Sequence, residues 1–342
     1  MTRVGIAGFG FMGQFHYRAY REVPDAKVVA LFDFDPQAFD RAPIQGNLGS
    51  ADMGDLKTIP RFTDYGNFLE ADFDVVDLCL PTFVHREFTE KAFASGRAVL
   101  CEKPMALSVA DCEAMIAASQ KAKKLLMVAQ CIRFWPGFDL VRDAVRSGSY
   151  GKPLTATLRR IGGAPTWSGW FLDEKRSGGG VLDCLVHDFD FARCIFGKPS
   201  EVSAGGTLNA IKAGSGVSYC RADLRYGSAP PPAHPCATIE GGWVTGSGFP
   251  FSMSAFFQFE QATLGYGIGS EGPLVVYHAD GRKETPTLKE GQGYEWEIRY
   301  FLECLKSGKP PAECPPEESR DAIAMALAAR DSVASGKPVR VT

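Results

Sequence analysis

The feature that most narrows the folds open to this chain is a glycine loop set between a short apolar run and an amphipathic stretch. Residues 4–7 are apolar, Gly8-Phe9-Gly10-Phe11-Met12-Gly13 follows, and residues 12–22 have helical periodicity. A second apolar run, 27–32, ends in Asp33, twenty residues past Gly13. Glycines at this spacing, between a strand and a helix and followed by that acidic residue, suit a bound dinucleotide. Gly8 permits the tight turn, Gly10 lets backbone approach a pyrophosphate, and Gly13 lets the helix pack against the strand. The anionic phosphates then sit at the positive end of the helix. A strand–turn–helix that binds nothing has the same outline, and glycine is common here, at 37 residues; Asp33 favours the nucleotide reading.

Asp33 also bears on which dinucleotide. A carboxylate there accepts hydrogen bonds from a free ribose 2′-hydroxyl and repels a 2′-phosphate. No arginine follows directly, since the sequence runs Asp33-Phe34-Asp35-Pro36. NAD is therefore expected over NADP. The bland alternative is that Asp33 only ends a strand and caps the next turn.

Up to about residue 130 the pattern alternates β-rich runs (4–7, 27–32, 75–80, 98–101, 126–130) with amphipathic segments (12–22, 85–95, 109–123). That alternation is the mark of a doubly wound parallel sheet. Ser108, with Asp111 three residues on, reads as a helix N-cap. Residues 40–60 read as an extended loop. After Arg133 the texture changes: helices at 138–146 and 181–196, a strand at 155–161, then runs at 219–225, 237–244, 251–259 and 262–268 separated by Gly and Pro. These predict a mainly antiparallel sheet. Residues 228–235, with four prolines, read as a loop, and 294–306, 317–335 and 338–341 as two helices and a last strand. The expected domains are 1–125 and 126–342, the chain of 342 residues being long enough for two cores.

Composition excludes several function classes. The formal charge is 37 − 40 = −3, which disfavours nucleic acid or an anionic membrane as partner. No apolar run approaches the roughly 18 residues needed to span a bilayer. Residues 4–12 contain three glycines and no basic region, unlike a secretory signal. The ten cysteines show no C-x-x-C spacing and read as buried reduced thiols of a cytoplasmic protein. No metal is expected, because the five histidines are dispersed.

Two further motifs carry chemistry. Glu102-Lys103-Pro104 follows the run 98–101, and ligands of open α/β sheets bind beyond the carboxyl ends of strands. Lys103 can polarise a substrate oxygen there, or be an ordinary solvated lysine. Gly178-Gly179-Gly180 precedes a stretch in which Asp183, His187 and Asp190 fall on one helical face, while Asp188 points elsewhere. A histidine beside a carboxylate suits proton transfer near neutral pH; the same pair also serves as an ion pair or a packing histidine. Trp167 and Trp170 can stack on sugar C–H faces or anchor a core. The apolar run 251–257 suits an oligomer face or internal core.

Together these segments make the chain similar to the glucose–fructose oxidoreductase / inositol dehydrogenase (Gfo/Idh/MocA) family. The resemblance rests on the Gly8–Gly13 loop, Pro81-Thr82…His85, Glu102-Lys103-Pro104, Gln130…Arg133-Phe134…Pro136, the glycine run with Asp183 and His187, and Ser335-Gly336-Lys337-Pro338-Val339. It is sharp over 1–197 and loose over 200–290. It implies an N-terminal Rossmann domain and a C-terminal α+β domain whose large open sheet builds a homodimer or homotetramer. It also implies NAD(P)-dependent hydride exchange with a secondary alcohol or ketone of a sugar, cyclitol or related polyol. The implied cofactor residues are Gly8, Gly10, Phe11, Met12, Gly13, Asp33, Pro81, Thr82, His85, Glu102, Lys103 and Gln130. The implied substrate residues are Lys103, Arg133, Trp170, Asp183 and His187. Lys103, Asp183 and His187 fall on the catalytic positions: His187 to take the hydroxyl proton, Lys103 to hold the oxygen, Asp183 to orient both. A cis Lys103–Pro104 peptide is also implied. Leu185 stands where the family often has glycine, which bears on packing and substrate class. Relatives that oxidise a sugar transiently during glycoside cleavage, or that only sense a nucleotide, share the same loop.

Overall fold

The computed structural model describes residues 1–41, 43–44, 56–227, 235–269 and 272–342. The expected loops at 40–60 and 228–235 therefore lie largely outside the described residues. The chain divides into two compact units, Met1–Cys131 with Gln292–Arg320, and Ile132–Gly291 with Asp321–Thr342.

The first unit opens with β1 (Thr2–Ala7), α1 (Phe11–Arg21) and β2 (Ala26–Phe32). There follow β3 (Arg61–Phe62), α2 (Tyr65–Glu70), β4 (Val75–Leu78), α3 (His85–Ala94), β5 (Ala98–Glu102), α4 (Val109–Ala122) and β6 (Leu126–Ala129). The six strands pair in the order β3-β2-β1-β4-β5-β6, all parallel. Val4, Ile6, Leu31, Val76, Leu78, Leu100 and Val128 are wholly buried, as expected of strands covered on both faces. Ser108 caps α4, its Oγ accepting the Asp111 amide at 3.1 Å. The strand order reverses between β2-β1 and β4, so the carboxyl ends of β1 and β4 flank the crevice where such sheets bind ligands.

The second unit contains α5 (Phe138–Ser147), β7 (Pro153–Gly163), α6 (Glu174–Ser177), α7 (Gly179–Asp183) and α8 (Val186–Phe196). Seven further strands follow in its sheet: β8 (Glu201–Leu208), β9 (Val217–Arg225), β10 (Cys236–Val244), β11 (Ser252–Phe259), β12 (Ala262–Tyr266), β13 (Leu274–His278) and β14 (Lys283–Glu284). After α9 (Gly293–Ser307) and α10 (Pro316–Ser335), β15 (Val339–Arg340) joins the sheet edge. The order is β14-β13-β12-β11-β7-β10-β9-β8-β15. Only the central β7–β10 pair is parallel among the paired strands. The run 251–257 proves two-sided: Ala255 and Phe257 are buried, whereas Phe256 is half-buried.

Two expectations change. The first unit extends to Cys131 and regains Gln292–Arg320, because α9 packs on α1 and β6 and buries Ile298 and Phe301 completely. The helix expected at 181–196 is interrupted between Asp183 and Val186. The Cys184 and Leu185 amides both donate to the Gly180 carbonyl, and the next bonds restart from the Leu185 carbonyl to Asp188 and Phe189. The break follows from how the glycines seat α7. A Cβ on Gly180 would lie 2.2 Å from the Ser218 carbonyl, and Gly179 adopts φ +75°. The close approach these glycines allow is thus to the sheet backbone of β9.

Candidate active site

In the first unit, the glycine loop works as its spacing requires. A Cβ on Gly13 would sit 1.9 Å from the Gly8 carbonyl oxygen, and one on Gly8 would lie 2.6 Å from that of Cys79, with Gly8 at φ +98°. Gly10 differs: a Cβ there meets no protein atom within 4 Å. Gly10 is also the N-cap of α1, with no side-chain cap and no acidic residue in the first turn. The positive end of the helix is left to an outside anion. Phe11 and Met12, half-buried, begin that first turn.

Asp33 caps the turn, as the blander reading asked. Its Oδ2 accepts the Phe9 amide at 2.8 Å and its Oδ1 the Asp35 amide at 2.9 Å. It therefore ties the glycine loop to the end of β2, and it remains half-buried rather than sealed. Carboxylate oxygens each accept more than one donor, so ribose hydroxyls can still be received. Gln130 is buried, and neither atom of its side-chain amide has a partner among the described residues. The open Gly10, the uncapped helix and this buried amide all fit a dinucleotide.

Pro81 and Thr82 follow β4, Thr82 buried and Pro81 half-buried. His85 and Glu102, expected to touch cofactor, are committed elsewhere. The His85 ring is buried with Nδ1 2.9 Å from the Pro104 carbonyl and Nε2 2.7 Å from that of Leu80. Burial lowers its basicity, against the pull of the two carbonyls. Glu102 is buried, with Oε1 3.0 Å from His16 Nε2 and Oε2 accepting the Lys103 amide at 2.9 Å. Lys103 itself is half-buried, and the Lys103–Pro104 peptide is cis.

His16 is a residue that sequence reasoning passed over. It lies on α1, wholly buried, with Nδ1 2.8 Å from Asp77 and Nε2 facing Glu102. The signal was available: Asp77 interrupts the apolar strand β4, and a charge there demands a buried partner. His16, Asp77 and Cys79 bring ligand-type atoms within 4.8 Å of one another. Cys79 Sγ donates to Asp77 at 3.4 Å, and burial pushes its thiol up, so hydrogen bonding accounts for the group.

In the second unit, Asp183 ends α7 and His187 lies in the first turn of α8, each 9% exposed. Asp190 lies further along α8, in an ion pair. It accepts from Arg133 Nε at 2.6 Å and Nη2 at 2.8 Å. Arg133, expected among the substrate residues, is 1% exposed and engaged in this pair. Asp188 takes Arg160 Nε at 2.7 Å. Leu185 is fully buried at the break, so its side chain enters the core. Trp170 stacks on Phe171 at 4.1 Å between centroids; Phe171 also meets Trp167 and Trp243 edge-on. Trp170 remains half-buried.

No helix among the described residues is long and apolar enough to cross a membrane. A family model described as an oxidoreductase family with an NAD-binding Rossmann fold matches residues 2–130. The Gfo/Idh/MocA C-terminal domain model matches 138–257. The chain is 26% identical to the myo-inositol 2-dehydrogenase of Thermotoga maritima, over 99% of this chain and 98% of that protein. It is 31% identical to the D-apiose dehydrogenase of Paraburkholderia graminis, over 90% and 81% respectively. An oxidoreductase from Agrobacterium radiobacter, solved with NAD+, L-tartaric acid and magnesium, shares the fold with a TM-score of 0.81. That likeness covers 99% of this chain and 98% of the other at 22% identity. With a nucleotide-binding sheet in one unit, a broad mixed sheet in the other, and both halves matched, the chain belongs to the Gfo/Idh/MocA family of oxidoreductases.

Proposed function

We propose that the protein is an NAD-dependent dehydrogenase acting on a secondary alcohol of a sugar, cyclitol or related polyol. The observation that carries this reading is the open, uncapped amino end of α1 at Gly10, with Asp33 bonded to the same loop. That arrangement suits the phosphates and free ribose hydroxyls of NAD, and Asp33 disfavours a 2′-phosphate. The names of relatives point to the substrate class, since they include inositol and D-apiose dehydrogenases.

NAD, when bound, would supply the hydride chemistry. His187 receives the proton of the substrate hydroxyl. Lys103 donates a hydrogen bond to the same oxygen and favours its developing negative charge. Asp183 orients these cationic partners. Trp170 offers an aromatic face to the polyol. No disulfide joins the ten cysteines, which suits a cytoplasmic enzyme, and the nine-stranded sheet offers the surface for a homodimer or homotetramer.

Formation of reduced nicotinamide by the purified protein, across a panel of inositols, aldoses and polyols, tests the reading. His187→Ala is expected to lower turnover on the order of 10²–10⁴-fold while leaving NAD affinity intact. An unchanged turnover number would remove His187 from the chemistry. Sugar release without accumulation of reduced nicotinamide would instead assign the transient-oxidation reaction.

A further inference from the structure

The reaction above makes no use of the titratable groups buried behind Lys103. His16, Asp77 and Glu297 are 0% exposed and Glu102 4%. Four elements supply them: α1, β4, α9 and β5. Both nitrogens of His16 face carboxylates, Nδ1 to Asp77 at 2.8 Å and Nε2 to Glu102 at 3.0 Å. Glu297 Oε1 lies 3.9 Å from the same Nε2. A ring placed this way donates at both ends.

Glu102 passes the constraint on. One oxygen takes His16 and the other takes the Lys103 amide, at 2.9 Å. On the far side of Lys103, the Pro104 carbonyl lies 2.9 Å from His85 Nδ1. The backbone carrying the Lys103 side chain is therefore gripped from two directions, each grip ending in a buried histidine. Interior ionic groups are costly to desolvate, and apolar replacements are often as stable. A cluster of this cost, placed at the carboxyl end of β5, points to geometry rather than stability.

We propose that His16 is a positioning residue for Lys103, acting through the Glu102 carboxylate to fix where the lysine side chain leaves the backbone. The proposal rests on the reading that Lys103 contacts the reacting oxygen. Misplacing such a group by about 1 Å costs on the order of 10²-fold in rate. Asp77 has the complementary task of holding the other end of the ring. Burial by itself lowers the basicity of His16, but Asp77 and Cys79 outweigh that and raise it well above its ordinary value.

The test is a double-mutant cycle on the full-length enzyme, using kcat on whichever polyol gives turnover and NAD affinity by fluorescence titration. Lys103→Ala alone is expected to lower kcat strongly. His16→Gln alone is expected to lower kcat about 10- to 100-fold with NAD affinity retained. In the Lys103→Ala background, His16→Gln is expected to change kcat no further, because its effect passes through the lysine. Equal losses in both backgrounds would mean that His16 serves the fold as a whole, and the proposal falls. A full effect of Lys103→Ala with none of His16→Gln also overturns it. No effect of Lys103→Ala overturns the catalytic reading itself, a result distinguishable from both. If His16→Gln does not fold, Glu102→Gln replaces it in the same cycle. Its amide has one acceptor oxygen for two donors, so one grip must be lost in a side chain of unchanged size.

Discussion

Arg133 and Asp190 form a closed pair in the core of the second unit. Guanidinium Nε and Nη2 meet the two carboxylate oxygens at 2.6 and 2.8 Å, and neither side chain is more than 1% exposed. Removing one member leaves the other charge buried without its partner. Arg133→Ala is therefore expected to destabilise the protein by about 3–5 kcal/mol, seen as a lower urea midpoint, with NAD affinity unchanged. Replacing both, Arg133→Met with Asp190→Leu, is expected to recover much of that loss. An Arg133 variant of normal stability that loses only polyol affinity would restore the substrate contact that its place in the sequence suggested.

The glycine loop allows a comparison of two identical substitutions. Gly13→Ala would set a methyl group 1.9 Å from the Gly8 carbonyl oxygen, whereas at Gly10 the same methyl meets no protein atom within 4 Å. Gly10 has φ −75°, which alanine adopts freely. Gly13→Ala is expected to lower the melting temperature sharply. Gly10→Ala is expected to keep the native melting temperature and lose dinucleotide binding, because its methyl group occupies the ligand's approach. Thermal melts with and without added NAD separate the two. Loss of stability at Gly10, or normal binding there, would contradict the assignment of its open side.

What the sequence made legible, and what it hid, divides along a physical line. The parallel strands were visible because Leu100 and Val128 belong to unbroken apolar runs, and the loop because only glycine fits at Gly8 and Gly13. The cluster around His16 was hidden because its bonds join residues 61 and 86 positions apart. Asp77 was the local trace of it, a carboxylate inside an apolar strand. The partner of Asp190 was hidden for a related reason. Helical spacing placed it on one face with Asp183 and His187; the break after Gly180 sets Asp183 apart on α7, while His187 and Asp190 both lie on α8. Arg133, 57 positions away, then takes Asp190.

Asp33 has two tasks, and they separate experimentally. It accepts the Phe9 and Asp35 amides and, in the proposed complex, the ribose hydroxyls. Asp33→Ala removes both, so NAD affinity is expected to weaken about 10- to 100-fold for the loss of one or two charge-assisted bonds. NADP affinity is expected to weaken less, because the repulsion of its 2′-phosphate disappears too. The ratio of the two dissociation constants is the informative quantity. A ratio unchanged from wild type would leave Asp33 as a turn cap alone.

Glu297 ties this interior to pH. Both its carboxyl oxygens are buried without a hydrogen-bond partner among the described residues. Burial raises its pKa well above the ordinary value of 4.5; His16 on α1 opposes this, and Glu102 on β5, Asp77 on β4 and Glu295 on α9 reinforce it. Tyr20 on α1 is neutral there, its own pKa also raised by burial and Asp77. Above pH 4.5 the unfolded chain has released a proton that the folded chain keeps, so stability falls as pH rises toward the raised value. The slope for one such proton is about 1.4 kcal/mol per pH unit. His16 acts with the same sign: its raised value gives stability that is complete below its ordinary pKa and lost as pH climbs through the folded one. Glu297→Gln keeps the shape of the neutral side chain and removes its titration. Urea unfolding at about pH 5, 7 and 9 is expected to show a shallower decline for the variant, leaving it more stable than the wild type at the alkaline end. Parallel curves would mean that Glu297 is ionised in the fold, and that His16 carries the pH dependence alone.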